Sequence, residues 1–156
     1  MNWKIEGLKR IDGILGGIVC SVSRLLARPG KGPRNTPPKI LVIRPGARGA
    51  SKRCTQSLAA LRDEFPGSAI HVLAEKRNAG ILAGCPYIDG VLLYDSSPLG
   101  TLSGVIKEGY DIVIDTEQWH RMTAALAYLT RARVRAGFAT NERARQFTHA
   151  VTHRRA

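Results

Sequence analysis

The densest set of chemically capable residues is the run TEQWHR at positions 116–121, directly after a short apolar segment. There Glu117 or His120 could exchange a proton and Arg121 could hold a phosphate. The competing reading has Thr116 and Glu117 capping a helix, Trp119 in the core and His120 solvated. A second candidate is the loop PGARGA at 45–50. Gly46 and Gly49 would let its backbone turn tightly and offer amides to an anion at a helix N-terminus. Its G-x-x-G spacing is neither the dinucleotide fingerprint nor a phosphate loop with lysine, and a plain tight turn explains it equally well. Arg77 and Asn78 form a third candidate, either for phosphate and sugar hydroxyls or as the exposed start of a helix. His149 and His153 lie four apart with no carboxylate or cysteine set beside them, so no metal site is expected. Cys20, Cys54 and Cys85 have no metal-ligand spacing, and their odd number argues against a disulfide framework. Isolated thiols in a reducing cytoplasm are expected.

A strand-then-helix rhythm must position these residues. The run KILVIR at 39–44 has the apolar density of a buried parallel strand. A helix should follow through Leu58, Leu61 and Phe65 and stop before Pro66-Gly67. Further strands are expected at 69–74, 90–94, 111–115 and 134–138, with helices at 78–83, 98–108 and 119–129. This alternation predicts right-handed βαβ crossovers and a parallel, Rossmann-like α/β sheet of about five strands at 39–138. Ligands of such a sheet bind beyond the carboxyl ends of its strands. That rule gathers the loop 45–50, the corner 75–78, Asp95 and the run 116–121 on one rim. Residues 139–156 are basic and weakly patterned, so no sixth strand is expected and the architecture should stop short.

The net charge of +12 is uneven. Residues 1–39 carry eight basic and two acidic side chains, 40–138 twelve and nine, and 139–156 four and one. Most of the excess therefore flanks the sheet, where it would attract phospholipid, lipopolysaccharide or nucleic acid. No interleaved aromatics or nucleic-acid motif favour the last of these. Leu8, Ile11, Leu15, Ile18, Val22 and Leu25 recur at helical spacing within 1–28, bracketed by basic residues. The uncharged run 13–23 is too short to span a bilayer. Asp12 interrupts the apolar start that a secretory signal needs. An amphipathic helix lying on a membrane surface is expected, with a helix packed on a neighbouring lobe as the alternative. Four prolines and two glycines make 29–38 a linker.

Taken in order, ILVIRPGA at 40–47, HVLAEKRN at 71–78, CPYID at 85–89 and YDIVIDTEQWHR at 110–121 resemble glycosyltransferase family 9. This is the family of ADP-heptose:lipopolysaccharide heptosyltransferases, and the likeness runs from about residue 39 to residue 151. The resemblance implies the N-terminal, acceptor-side lobe of a two-lobed GT-B enzyme, inverting and metal-independent. Its donor would be a nucleotide sugar such as ADP-heptose, and its acceptor a lipopolysaccharide core or other glycolipid at the cytoplasmic side of the inner membrane. It also implies that Gly46, Gly49, Arg77, Asn78, Glu117, Trp119, His120 and Arg121 meet the acceptor. The arginines would contact its phosphate or carboxylate, and Trp119 a sugar face or the core.

The family's base is an aspartate directly after the loop glycine. Here Gly49 is followed by Ala50 and then SKRCTQ at 51–56, so no catalytic residue is assigned and Ala50 marks the vacant position. The match resumes at Thr55 and at Ser57-Leu58, a same-length departure that suggests two compensating frame slips; resequencing would test it. With no donor lobe in view, the expectation is a truncated chain, inactive alone, whose second lobe could come from a separate chain. The alternative is a non-catalytic basic α/β module that binds an anionic membrane surface or nucleic acid.

Overall fold

The computed structural model describes residues 37–44 and 51–152, with the side chains of 51–54 left out. The helix expected at 1–28, most of the linker, the loop bearing Gly46, Gly49 and Ala50, and His153 all lie outside the described residues.

Apolar runs of four or five residues make the central strands, because a parallel strand is covered on both faces. The elements follow in the order β1 (Ile40–Arg44), α1 (Ser51–Glu64), β2 (Ile70–Ala74), α2 (Lys76–Leu82), β3 (Gly90–Leu93), α3 (Pro98–Lys107), β4 (Ile112–Asp115), α4 (Arg121–Leu129), β5 (Val134–Phe138), a 3-10 helix (Glu142–Gln146) and β6 (His149–Val151). Among the described residues they form one parallel sheet in the order β3-β2-β1-β4-β5-β6. Alternate residues of β1 face opposite layers. Ile40 and Val42 pack with Leu58 of α1 and Leu82 of α2, while Leu41 and Ile43 pack with Val105 of α3 and Ala124 of α4. Helices thus cover both faces, as the α/β alternation predicts. The small buried residues Ala124, Ala125 and Ala127 let α4 lie close to the sheet.

The amino-terminal edge is pinned by carboxylates. Asp89 accepts from the Ile70 amide at 2.7 Å and from Arg62 at 2.7 Å. These bonds, the Ile70 amide first, hold its carboxyl below the usual range. Asp89, within the family-like segment 85–89, therefore ties α1 to β2 and lies away from the rim. Asp111 takes the Lys39 amide at 3.0 Å in the same way.

Three boundaries depart from the sequence reading. Helix α2 begins at Lys76, before the expected 78, because the Asp95 carboxylate takes the Lys76 amide at 2.9 and 3.0 Å. This cap comes from 19 residues downstream, so local sequence does not announce it. Helix α4 begins at Arg121, leaving Trp119 and His120 in the preceding loop. The third departure is a correction: the segment after 139 does supply a sixth strand. All three β6 residues are exposed, so no apolar pattern marks it. It is held by backbone pairing to β5, by the Thr148 hydroxyl under the Arg135 amide at 2.8 Å, and by the buried Phe147 ring just before it.

Candidate functional site

Strand order decides where a crevice opens. Chain progression leaves β1 toward β2 on one side and toward β4 on the other, and ligands of open parallel sheets sit at that divergence. Arg44 ends β1 there and Asp115 ends β4. Just beyond, Thr116 locks the two strands together: its amide and hydroxyl both donate to the Ile43 carbonyl, at 3.1 and 2.9 Å. Arg44 donates in turn to the Thr116 hydroxyl at 3.3 Å.

Asp115 is fully buried and ion-paired to the equally buried Arg143. Its other oxygen accepts the Glu117 amide at 2.9 Å, which turns the chain sharply out of β4. Burial pushes its carboxyl up to about 6, against the pull of the Arg143 charge, the Thr123 hydroxyl and the Glu117 amide. Arg143 also donates to the Glu117 carbonyl and lies 5.4 Å over the Phe147 ring.

The run 116–121 occupies the crevice edge. Trp119 is 52% exposed, which corrects its placement in the core, and Met122 stands nearby at 44%. His120 is the N-cap of α4, with no side-chain cap bond, and the Thr116 hydroxyl is turned to the Ile43 carbonyl of β1. Glu117 is half-buried. Arg121 sends Nε and Nη2 to one oxygen of Glu142, at 2.9 and 2.7 Å. That bond is the main reason the exposed Glu142 carboxyl sits below its usual range.

Arg77 and Asn78 lie beyond β2, on the far side of β1, so roughly 10 Å of sheet separates them from the β4 end. Arg77 is exposed and paired with Glu75, whose other oxygen accepts the Tyr94 hydroxyl at 2.6 Å. Asn78 is buried, with its amide donating to the Glu75 carbonyl at 2.8 Å. The structure thus collects 116–121 at one side of the crevice and keeps 77–78 apart from it. Among the described residues no three His, Cys, Asp or Glu side chains converge as a metal site requires. No described helix is long and apolar enough to cross a membrane.

Sequence reasoning missed Arg44, Glu142 and Arg143. A strand-final aspartate in an otherwise apolar run was a signal that a cation had to be found for Asp115. Nothing in the sequence showed that the partner lay 28 residues away.

Solved structures share this backbone. ADP-heptose lps heptosyltransferase II of E. coli superposes with a TM-score of 0.61 at 18% identity, over 70% of this chain and 33% of that one. A family 9 glycosyl transferase of Veillonella parvula DSM 2008 gives 0.64 at 21%, over 76% and 36%. E. coli heptosyltransferase WaaC with ADP gives 0.61 at 17%, over 75% and 41%. The fold is the parallel, Rossmann-like α/β layer that these structures share. The chain spans only 33% to 41% of the length of these structures, so the likeness concerns part of each. No protein-family model matches the chain, and no curated protein matches it in sequence.

Proposed function

We propose that this chain is the acceptor-side lobe of a family 9 glycosyltransferase, holding an anionic glycolipid such as a lipopolysaccharide core at the crevice between β1 and β4. The observation that carries the reading is the family 9 fold itself, a six-stranded parallel sheet whose strand order opens a crevice at a polar rim. Arg121, with its side chain 21% exposed, would meet a phosphate or carboxylate of the acceptor. Trp119 would offer its exposed ring to a sugar face. Glu117 and His120 would bind hydroxyls beside it, and the exposed Arg77, past β2, would meet a more distant anionic group of the acceptor. Residues 1–28 would bring the lobe to the inner-membrane surface where such acceptors lie, helped by the +12 charge.

Sugar transfer requires the acceptor hydroxyl to lose a proton as it attacks. By resemblance the base belongs at position 50, where Ala50 has none, so the 156-residue chain binds the acceptor without turning it over.

Titration of the purified chain with lipopolysaccharide core oligosaccharide, followed by NMR or calorimetry, tests this. Saturable binding that weakens about tenfold or more in Arg121→Ala, with circular dichroism unchanged, is expected. Equal binding by the variant would remove Arg121 from the site. The high charge also favours a second reading, a non-catalytic basic module for anionic surfaces or nucleic acid. A gel shift that persists at physiological salt, with no oligosaccharide binding, would establish it instead.

A further inference from the structure

Residues 116–120 belong to neither helix nor strand, so their carbonyls must find partners outside the regular ladders or stay with water. Three consecutive ones are met from a single place. Arg143 donates to the Glu117 carbonyl, the Thr140 hydroxyl to the Gln118 carbonyl, and the Asn141 amide to the Trp119 carbonyl at 3.3 Å. The remaining residue of that segment, Glu142, receives Arg121 at 2.9 and 2.7 Å. Four successive residues, 140–143, therefore each hold one member of 117–121, across 21 to 26 residues of chain.

The holding segment is itself anchored. Arg143 reaches the buried Asp115 carboxylate, and the Asn141 side chain accepts from the Arg143 amide at 3.0 Å. Phe147, at the end of the 3-10 helix, presses its ring against Gly137 of β5. By contrast, the Glu142 side chain is 60% exposed, and a surface ion pair of this kind adds little to global stability. Its effect falls on the loop it grips.

We propose that residues 140–143 form a clasp that fixes the backbone of the rim loop 117–121, and that Asn141 and Glu142 are thereby positioning residues for an anionic acceptor at Arg121. The clasp stands on the contacts above; its service to an acceptor rests on the function proposed above. Preordering the loop removes an entropic cost from binding, because the groups that meet the ligand are already in place.

Two surface variants separate the clasp from the fold. Asn141→Asp keeps an oxygen for the Arg143 amide and replaces the donor to the Trp119 carbonyl with a carboxylate oxygen that repels it. Glu142→Ala removes the Glu142 acceptor of the Arg121 guanidinium, whereas Glu142→Gln retains one. Hydrogen exchange of the full chain, read by mass spectrometry, is expected to accelerate about tenfold at 117–121 in the Asn141→Asp/Glu142→Ala double variant, with β1 and β4 unchanged. Glu142→Gln alone should stay near wild type. The affinity for lipopolysaccharide core oligosaccharide should fall in step with loop exchange. Unchanged exchange at 117–121 overturns the clasp, whatever binding does. Faster exchange with wild-type affinity overturns the positioning role. If the wild-type chain binds no oligosaccharide, the acceptor reading fails, and exchange alone still decides the clasp.

Discussion

A carboxylate sealed under a parallel sheet's rim carries a cost that depends on pH. Asp115 is lifted by burial from 3.8 to about 6 in the folded protein, even with Arg143 against it. Between those values the folded chain holds a proton that the unfolded chain has released. Asp115 therefore withdraws stability as pH rises from about 4 to about 6, by at most about 3 kcal/mol, and the loss is constant above that window. Asp89, Glu108 and Glu142 have lowered values and act with the opposite sign, losing stability as the pH falls through their folded-state range. Comparing the wild type with Asp115→Asn cancels those shared contributions. The variant leaves Arg143 buried without a counter-charge, so it starts less stable. The deciding quantity is the slope: urea unfolding across the window should show wild-type stability falling with pH relative to Asp115→Asn. Parallel profiles would mean that Asp115 is ionised throughout.

At the scale of elements, the end of the sheet is its most exacting part. A Cβ placed on Gly137 would collide with the Phe147 ring, which packs just before β6 and would have to shift. Gly137→Ala is therefore expected to cost about 1–3 kcal/mol by overpacking and to raise hydrogen exchange in β6 before the central strands. An unchanged melting temperature would show that Phe147 can swing aside. This element also marks the limit of what the sequence disclosed. Strands β1, β2 and β4 were legible because covering a strand on both faces demands an apolar run, as in ILVIR. Helix α1 was legible from its periodic leucines and the Pro66-Gly67 stop. Strand β6 was not, since its three exposed residues depend on Phe147, Thr148 and pairing to β5. The starts of α2 and α4 were hidden for a related reason: the groups that shape them, Asp95 and the segment 140–143, are distant in sequence. The same holds for the site. TEQWHR declared itself by composition, whereas Arg143, which holds its loop, sat in a stretch with no pattern.

For the whole molecule, the proposed function separates acceptor binding from sugar transfer. The described residues build one parallel sheet, and the chain spans 33% to 41% of the length of the solved structures it resembles. A transferase must hold a nucleotide sugar and an acceptor together and remove a proton from the attacking hydroxyl. The first demand calls for two ligand surfaces facing one another; the second calls for a base, and Ala50 has no titratable group. The two demands are independent, so supplying a base at position 50 would not by itself supply a second ligand surface. Mixed with ADP-heptose and lipopolysaccharide core oligosaccharide, the 156-residue chain is expected to release no ADP above the spontaneous rate, and Ala50→Asp is expected to release none either. Release by Ala50→Asp alone would show that the single sheet suffices for donor binding and that position 50 was the whole deficit. Release by the wild type would place the base elsewhere on the rim, with Glu117 and His120 the first groups to replace.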